Sequence, residues 1–111
     1  MHLNEVQEWE KNFYTERGWI DLPPYTRIGF LIEELGEVSR AVRSFEIGRD
    51  HPGEKRCTRE VIIANLAEEL GDVLSNLSIL ADLYDLTLED LVDAHRKKLT
   101  LRYKNEGSMT K

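Results

Sequence analysis

One cysteine, Cys57, stands in a chain of 111 residues, so no internal disulfide can form and a reducing compartment suits the protein. Histidine is almost as scarce. His2, His51 and His95 are the three, and none has a glutamate three residues before it, so the Glu-x-x-His pairs of a di-iron carboxylate bundle are missing. Without histidine or thiolate ligands, zinc and iron are poorly served. Long apolar runs are also lacking: no stretch approaches the roughly 18 residues that would span a membrane. The N-terminus, MHLNEVQEWEK, has no apolar core and does not read as a secretory signal. The chain is therefore expected to be cytoplasmic. Basic residues are outnumbered, with a net charge of −6, which argues against a general nucleic-acid or membrane-surface binder. Strand alternation and hairpin turns are absent as well, and the expected architecture is all-α.

What the chain does have is helical periodicity. Leu3, Val6, Trp9, Phe13 and Tyr14 recur at helical spacing over about residues 2–17, with Gly18 as a C-cap. Two prolines in the turn 18–25 break the pattern, and Thr26 is the expected N-cap of a second helix reaching Ile47. Its stripe is Ile28, Leu31, Leu35, Val38, Val42 and Phe45. A polar loop follows at 48–57. Thr58 caps a third helix to about Tyr84, apolar almost all round and about 39 Å long at 1.5 Å per residue. Thr87 with Asp90 forms a capping box for a fourth helix, and the tail 105–111 is expected to fray. Residues 1–111 thus read as one domain, a four-helix bundle-like unit. A chain this small, with so long and apolar a third helix, is expected to be completed by homo-oligomerisation.

Two near-identical pentapeptides lie within the second and third helices: EELGE at 33–37 and EELGD at 68–72. Residues three apart share a helix face, so Glu34 pairs with Glu37 and Glu69 with Asp72. Glu34 and Glu37 fall on a column, shared with Phe30 and Ala41, that borders the apolar stripe; Glu69 shares a column with Ile62, Val73 and Leu80, with Asp72 one step round; Glu33 and Glu68 point farther away. Four gathered carboxylates are best tolerated around a hard cation, and an all-oxygen set favours Mg²⁺ or Mn²⁺. Asn65 and Asn76 extend the same polar seam. Asn76 is placed either to hydrogen-bond a base or sugar or to satisfy Asp72. Gly36 and Gly71, each costing about 1 kcal/mol against alanine in a helix, suggest close backbone approach. Trp9, Phe13, Trp19 and Tyr25 offer a stacking wall, although Trp9 and Phe13 are expected in the core. A solvated acidic face, or a non-catalytic dimeric module binding nucleotide or metal, are the competing readings.

With these residues the chain resembles the MazG-type all-α nucleoside triphosphate pyrophosphohydrolases. Their EExxE motif is matched by Glu33, Glu34 and Glu37, and their ExxD by Glu69 and Asp72. An N-x-x-K-L-x-x-R-Y element is answered by His95, Lys98, Leu99, Arg102 and Tyr103, with His95 where the family commonly has asparagine. The resemblance covers about residues 26–104, with a spacer between the acidic motifs that is long for the family. It implies hydrolysis of a nucleoside triphosphate to monophosphate and pyrophosphate with Mg²⁺, in a homodimer or dimer of dimers. A related activity on phosphoribosyl-ATP shares the fold and acids. On this resemblance Glu34, Glu37, Glu69 and Asp72 hold the metal, Glu33 orients or deprotonates the water, and Lys98 and Arg102 hold outer phosphates.

Overall fold

A computed structural model of the chain describes residues 1–47, 53 and 57–104. They form four helices and, among the described residues, no strand: α1 (Leu3–Glu16), α2 (Pro24–Ile47), α3 (Arg59–Leu83) and α4 (Leu88–Tyr103). The all-α expectation holds. Of the predicted loop at 48–57 only Gly53 and Cys57 are described; the rest of it and the predicted frayed tail at 105–111 lie outside the described residues.

The helix ends follow local chemistry. Gly18, at φ +72°, closes α1: its N–H donates to Thr15 and that of Trp19 to Tyr14, the paired bonds of a Schellman motif. The same motif closes α3 with Asp85 at φ 57° in place of glycine, where Leu86 N–H reaches the Ala81 carbonyl. Thr58 caps α3 through the Val61 N–H, and the predicted Thr87–Asp90 capping box is present at the start of α4. Thr26, in contrast, is not an N-cap. With Thr26 as cap the helix would start at Arg27; α2 begins three residues earlier at Pro24, because a proline in the first helical position gives up an N–H that would have no partner there. The Pro23 carbonyl accepts from Arg27 N–H at 3.1 Å.

Helices α2 and α3 pair along their length. Arg27 bonds Asn76 near one end of the pair, and Ser44 and Val61 share a cavity near the other, so the two run antiparallel. Helix α1 packs across α3, and α4 leans on α1. Gln7 is the latch. Buried on α1, it donates to the carbonyls of Ser78 (3.2 Å) and Leu86 (2.9 Å) and accepts from Leu88 N–H (3.0 Å). One side chain thereby fixes α1 to both sides of the α3–α4 turn. Tyr14 Oη lies 2.8 Å from Ser75 Oγ, which donates to Glu10 at 2.7 Å. Since the Ser75 proton is committed to Glu10, Tyr14 is the donor to Ser75.

The core is small, centred on Ala41, Ile62, Ile79, Ala81 and Leu88. The stripe expected on α2 divides: Leu31 and Val38 are half-buried, whereas Ile28, Leu35 and Val42, joined by Ile32, are exposed. Ile63, Leu70, Leu74 and Leu77 form a matching exposed stripe on α3. The chain exposes 8518 Å², against about 6,300 Å² for a compact monomer of this mass. No helix among the described residues is long and apolar enough to cross a membrane.

Candidate metal centre

The α2 face turned to α3 runs Arg27, Leu31, Glu34, Val38, Ala41 at alternating four- and three-residue steps, the period of one helix side. Its α3 counterpart includes Ile62, Glu69, Val73, Asn76 and Leu80. Antiparallel pairing sets the middle of one face against the middle of the other, which brings the two acidic pentapeptides together. Ligand oxygens of Glu34, Glu69 and Asp72 all lie within 4.8 Å of one another. Glu34 lies half-buried on the inter-helix face, further in than the border column expected for it; Glu69 is half-buried on the column it shares with Ile62 and Val73, as expected, and Asp72, one step round, is exposed.

Glu37 stands at the edge of this group. Its carboxylate sits 3.9 Å from the Arg40 guanidinium one turn on, and it still adds negative potential at Glu34 and Glu69. Burial pushes the Glu34 carboxyl above the usual carboxylate range, and the charges of Asp72, Glu69, Glu37 and Glu33 add to it. Glu69 is raised for the same first reason and by Asp72, Glu37 and Glu68, with Arg40 partly offsetting them. The site holds more negative charge than its own side chains compensate. An oxygen-only donor set with excess negative charge fits a hard divalent cation.

Cavities flank the cluster on both sides. On one side Glu37, Arg40, Ser44, Asn65 and Glu69 border a cavity of about 400 Å³, with Cys57 at its rim. On the other, Tyr14, Trp19, Arg27, Phe30, Glu34 and Asn76 enclose about 280 Å³. A third hollow joins Trp9, Phe13, Tyr14 and Trp19 to Glu68, Gly71 and Asp72. Trp9 is 60% exposed, so it belongs to this wall and not to the core as expected. It stacks on Phe13 at 5.2 Å between ring centroids. Tyr25, 87% exposed, lines none of the three.

The other expected site residues fall in different places. Asn76 is buried, donates to the Asp72 carbonyl (3.0 Å) and accepts from Arg27 (3.3 Å). Glu33 and Glu68 are exposed, and Glu68 shares the aromatic hollow with Asp72. Lys98 and Arg102 are on the exposed length of α4, which packs on α1 and not along α2. Within one chain they are not brought to the carboxylates. Gly36 and Gly71 give no close approach either, since a Cβ built on each meets nothing within 4 Å.

Arg27 and Arg40 are cations that sequence reading passed over. A charged residue on the period shared with Leu31, Val38 and Ala41 was the available signal for Arg27. A cluster of carboxylates between two antiparallel helices of an all-α chain defines a helical acidic-site protein. The MazG nucleotide pyrophosphohydrolase domain matches residues 23–106, and the chain belongs to that family. Over 105 residues it is 50% identical to the uncharacterized protein YvdC of Bacillus subtilis (strain 168), covering 95% of this chain and 99% of that protein. No solved structure matches it.

Proposed function

We propose that the chain hydrolyses a nucleoside triphosphate to the monophosphate and pyrophosphate at the Glu34–Glu69–Asp72 cluster, with Mg²⁺ or Mn²⁺ as the bound cation. The convergence of three carboxylates within 4.8 Å, in a chain of the MazG family, carries the reading. Glu34, Glu69 and Asp72 hold the cation, and Glu37 becomes a further ligand on leaving Arg40. The cation, when bound, polarises the phosphoryl oxygens and acidifies water. Glu33 orients or deprotonates the attacking water, and Glu68, which borders the hollow beside Asp72, is the alternative base. Water adds its oxygen to phosphorus, the α–β anhydride bond breaks, and pyrophosphate departs with the bridging oxygen. Arg40, which borders the cavity beside Glu37 and Glu69, stabilises that leaving group's charge in this reading.

The paired stripes on α2 and α3 support a homodimer, or a dimer of dimers, since an exposed apolar surface of this extent marks an interface. In such an assembly α4 of a neighbouring copy brings Lys98 and Arg102 to the outer phosphates. The substrate pool and the single cysteine suit the cytoplasm. A pyrophosphate-release screen over standard, deoxy and modified triphosphates, with phosphoribosyl-ATP included, tests the activity. At least one should turn over with Mg²⁺ or Mn²⁺, and Asp72→Asn should abolish it with helicity retained. Equal rates in wild type and Asp72→Asn would remove the cluster from the chemistry.

A further inference from the structure

Arg27 and Glu34 lie seven residues apart on the face of α2 turned to α3, and Glu69 and Asn76 lie seven apart on the facing column of α3. Seven residues are two turns, about 10.5 Å along each axis. Because the helices run antiparallel, these steps meet as two rungs: Glu34 with Glu69 and Asp72, then Arg27 with Asn76. The first rung is all negative and repels itself across the interface. The second is a direct hydrogen bond between the helices, from the Arg27 guanidinium to Asn76 Oδ1 at 3.3 Å. Asn76 carries that contact back to the first rung, since its Nδ2–H donates to the Asp72 carbonyl at 3.0 Å. Another arm of the guanidinium donates to the Trp19 carbonyl at 2.6 Å, directly after the Gly18 closure of α1. One side chain therefore ties together the end of α1, the helix that carries Glu34 and the turn of α3 that carries Asp72.

Stability alone is a poor reason for this arginine. It is 3% exposed, and among the described residues no carboxylate lies within ion-pair distance of it. Its Nε–H is buried with no partner. Burying a charge against neutral acceptors is costly, and an apolar residue of similar volume often serves a fold as well. What an apolar residue lacks is direction. The planar guanidinium holds its two acceptors at set angles, so it resists sliding of α2 against α3. Carboxylates drawn from two helices converge on one ion only while that register is kept. A slip of one residue displaces them by about 1.5 Å, against a tolerance of about 0.2 Å in metal–ligand distances.

We propose that Arg27 is a positioning residue for the metal centre, acting through Asn76 to hold Glu69 and Asp72 in register with Glu34. The proposal rests on the reading of the cluster as a cation site and deepens it. Groups that hold metal ligands in place typically govern affinity by about ten- to a hundredfold. Mg²⁺ demands near-octahedral geometry at about 2.0–2.1 Å, whereas Ca²⁺ accepts irregular oxygen sets at about 2.3–2.6 Å. The brace therefore matters more for the smaller ion.

Calorimetric titration of the metal alone, Mg²⁺ and separately Ca²⁺, into Arg27→Met, Asn76→Leu and the double variant tests it. Arg27→Met should weaken Mg²⁺ about tenfold and Ca²⁺ less than about threefold. The sign is diagnostic. Arg27 borders the same cavity as Glu34, and deleting a nearby positive charge would by itself tighten cation binding. Asn76→Leu changes no charge and should match the loss. The double variant should also lose about tenfold and not about a hundredfold, because both residues act along one path. With neither residue left facing a missing partner, it should keep wild-type helicity by circular dichroism. Mg²⁺ binding to Arg27→Met as tight as wild type, or tighter, overturns the proposal. So does an equal loss of Ca²⁺, or a hundredfold loss in the double variant. Wild type that binds no Mg²⁺ would overturn the cation reading along with it. The expected losses in a protein that turns over no triphosphate would sink the hydrolase reading and leave the role of Arg27 standing.

Discussion

Glu34→Gln should act in opposite directions in metal-free and metal-saturated protein. In the metal-free chain, Glu34 faces Glu69 and Asp72 with ligand oxygens within 4.8 Å. Two unit charges at that separation repel by about 0.9 kcal/mol in bulk water. Screening at 0.1 M salt leaves roughly 0.5 kcal/mol for each neighbour. Removing one charge thus relieves about 1 kcal/mol in total, a modest gain befitting half-exposed groups. For a domain of this size that raises the midpoint of thermal unfolding by about 4 °C, and the gain should shrink severalfold in 1 M salt. The pH dependence has a definite sign. Glu34 and Glu69 have folded-state pKa values above the unfolded reference of 4.5, so the penalty is complete above the folded values. It is relieved as pH falls through them towards the reference. In metal-free protein the advantage of Glu34→Gln over wild type should therefore grow as pH rises from the reference of 4.5 through the raised folded-state values. With Mg²⁺ at about a hundred times its Kd, wild type should gain roughly 2.7 kcal/mol and the variant much less. Differential scanning calorimetry with and without chelator reads both. A metal-free variant no more stable than wild type, or one equally stabilised by Mg²⁺, would refute the reasoning.

Gln7→Ala strands the Leu88 N–H and the Ser78 and Leu86 carbonyls, and should cost about 2–3 kcal/mol by urea denaturation, with the m-value unchanged. Gly36→Ala should stabilise the isolated chain by about 0.5–1 kcal/mol through helix propensity, since its Cβ meets nothing within 4 Å. A loss of stability that grows with protein concentration would place a second copy against Gly36. Asp85→Val should destabilise by about 1–2 kcal/mol, because Asp85 holds φ 57°, a conformation that β-branched residues resist. Asp85→Gly should be neutral or better.

Helical spacing was enough to read four helices, the Gly18 closure, and the Thr58 and Thr87 caps, because each depends on contacts within a few residues. It placed the start of α2 three residues late, since Thr26 is a good cap by type while Pro24 was read only as a breaker. The facing of Glu34, Glu69 and Asp72 followed from the 3.6-residue period once two helices were paired. That Glu34 lies on the inter-helix face and not beside it did not, because the apolar stripe of α2 serves two directions and only tertiary packing divides it. Trp9 went to the core on its spacing with Phe13, yet the hollow beside Asp72 leaves it exposed. Arg27 escaped notice because a buried cation makes sense only with Tyr14, Trp19, Phe30 and Asn76 around it, and three of these come from other segments. Lys98 and Arg102 match a motif, but no local rule says which copy of the chain they serve.

The central claim is that the Glu34–Glu69–Asp72 cluster drives cleavage between the α and β phosphates. Phosphorus NMR of a nucleoside triphosphate from the screen, incubated with protein and Mg²⁺, observes that bond directly. The account predicts monophosphate and pyrophosphate in equal amounts, and no change in the spectrum with Glu69→Gln or Asp72→Asn. Appearance of diphosphate and orthophosphate, or pyrophosphate release that survives both amide variants, would contradict it.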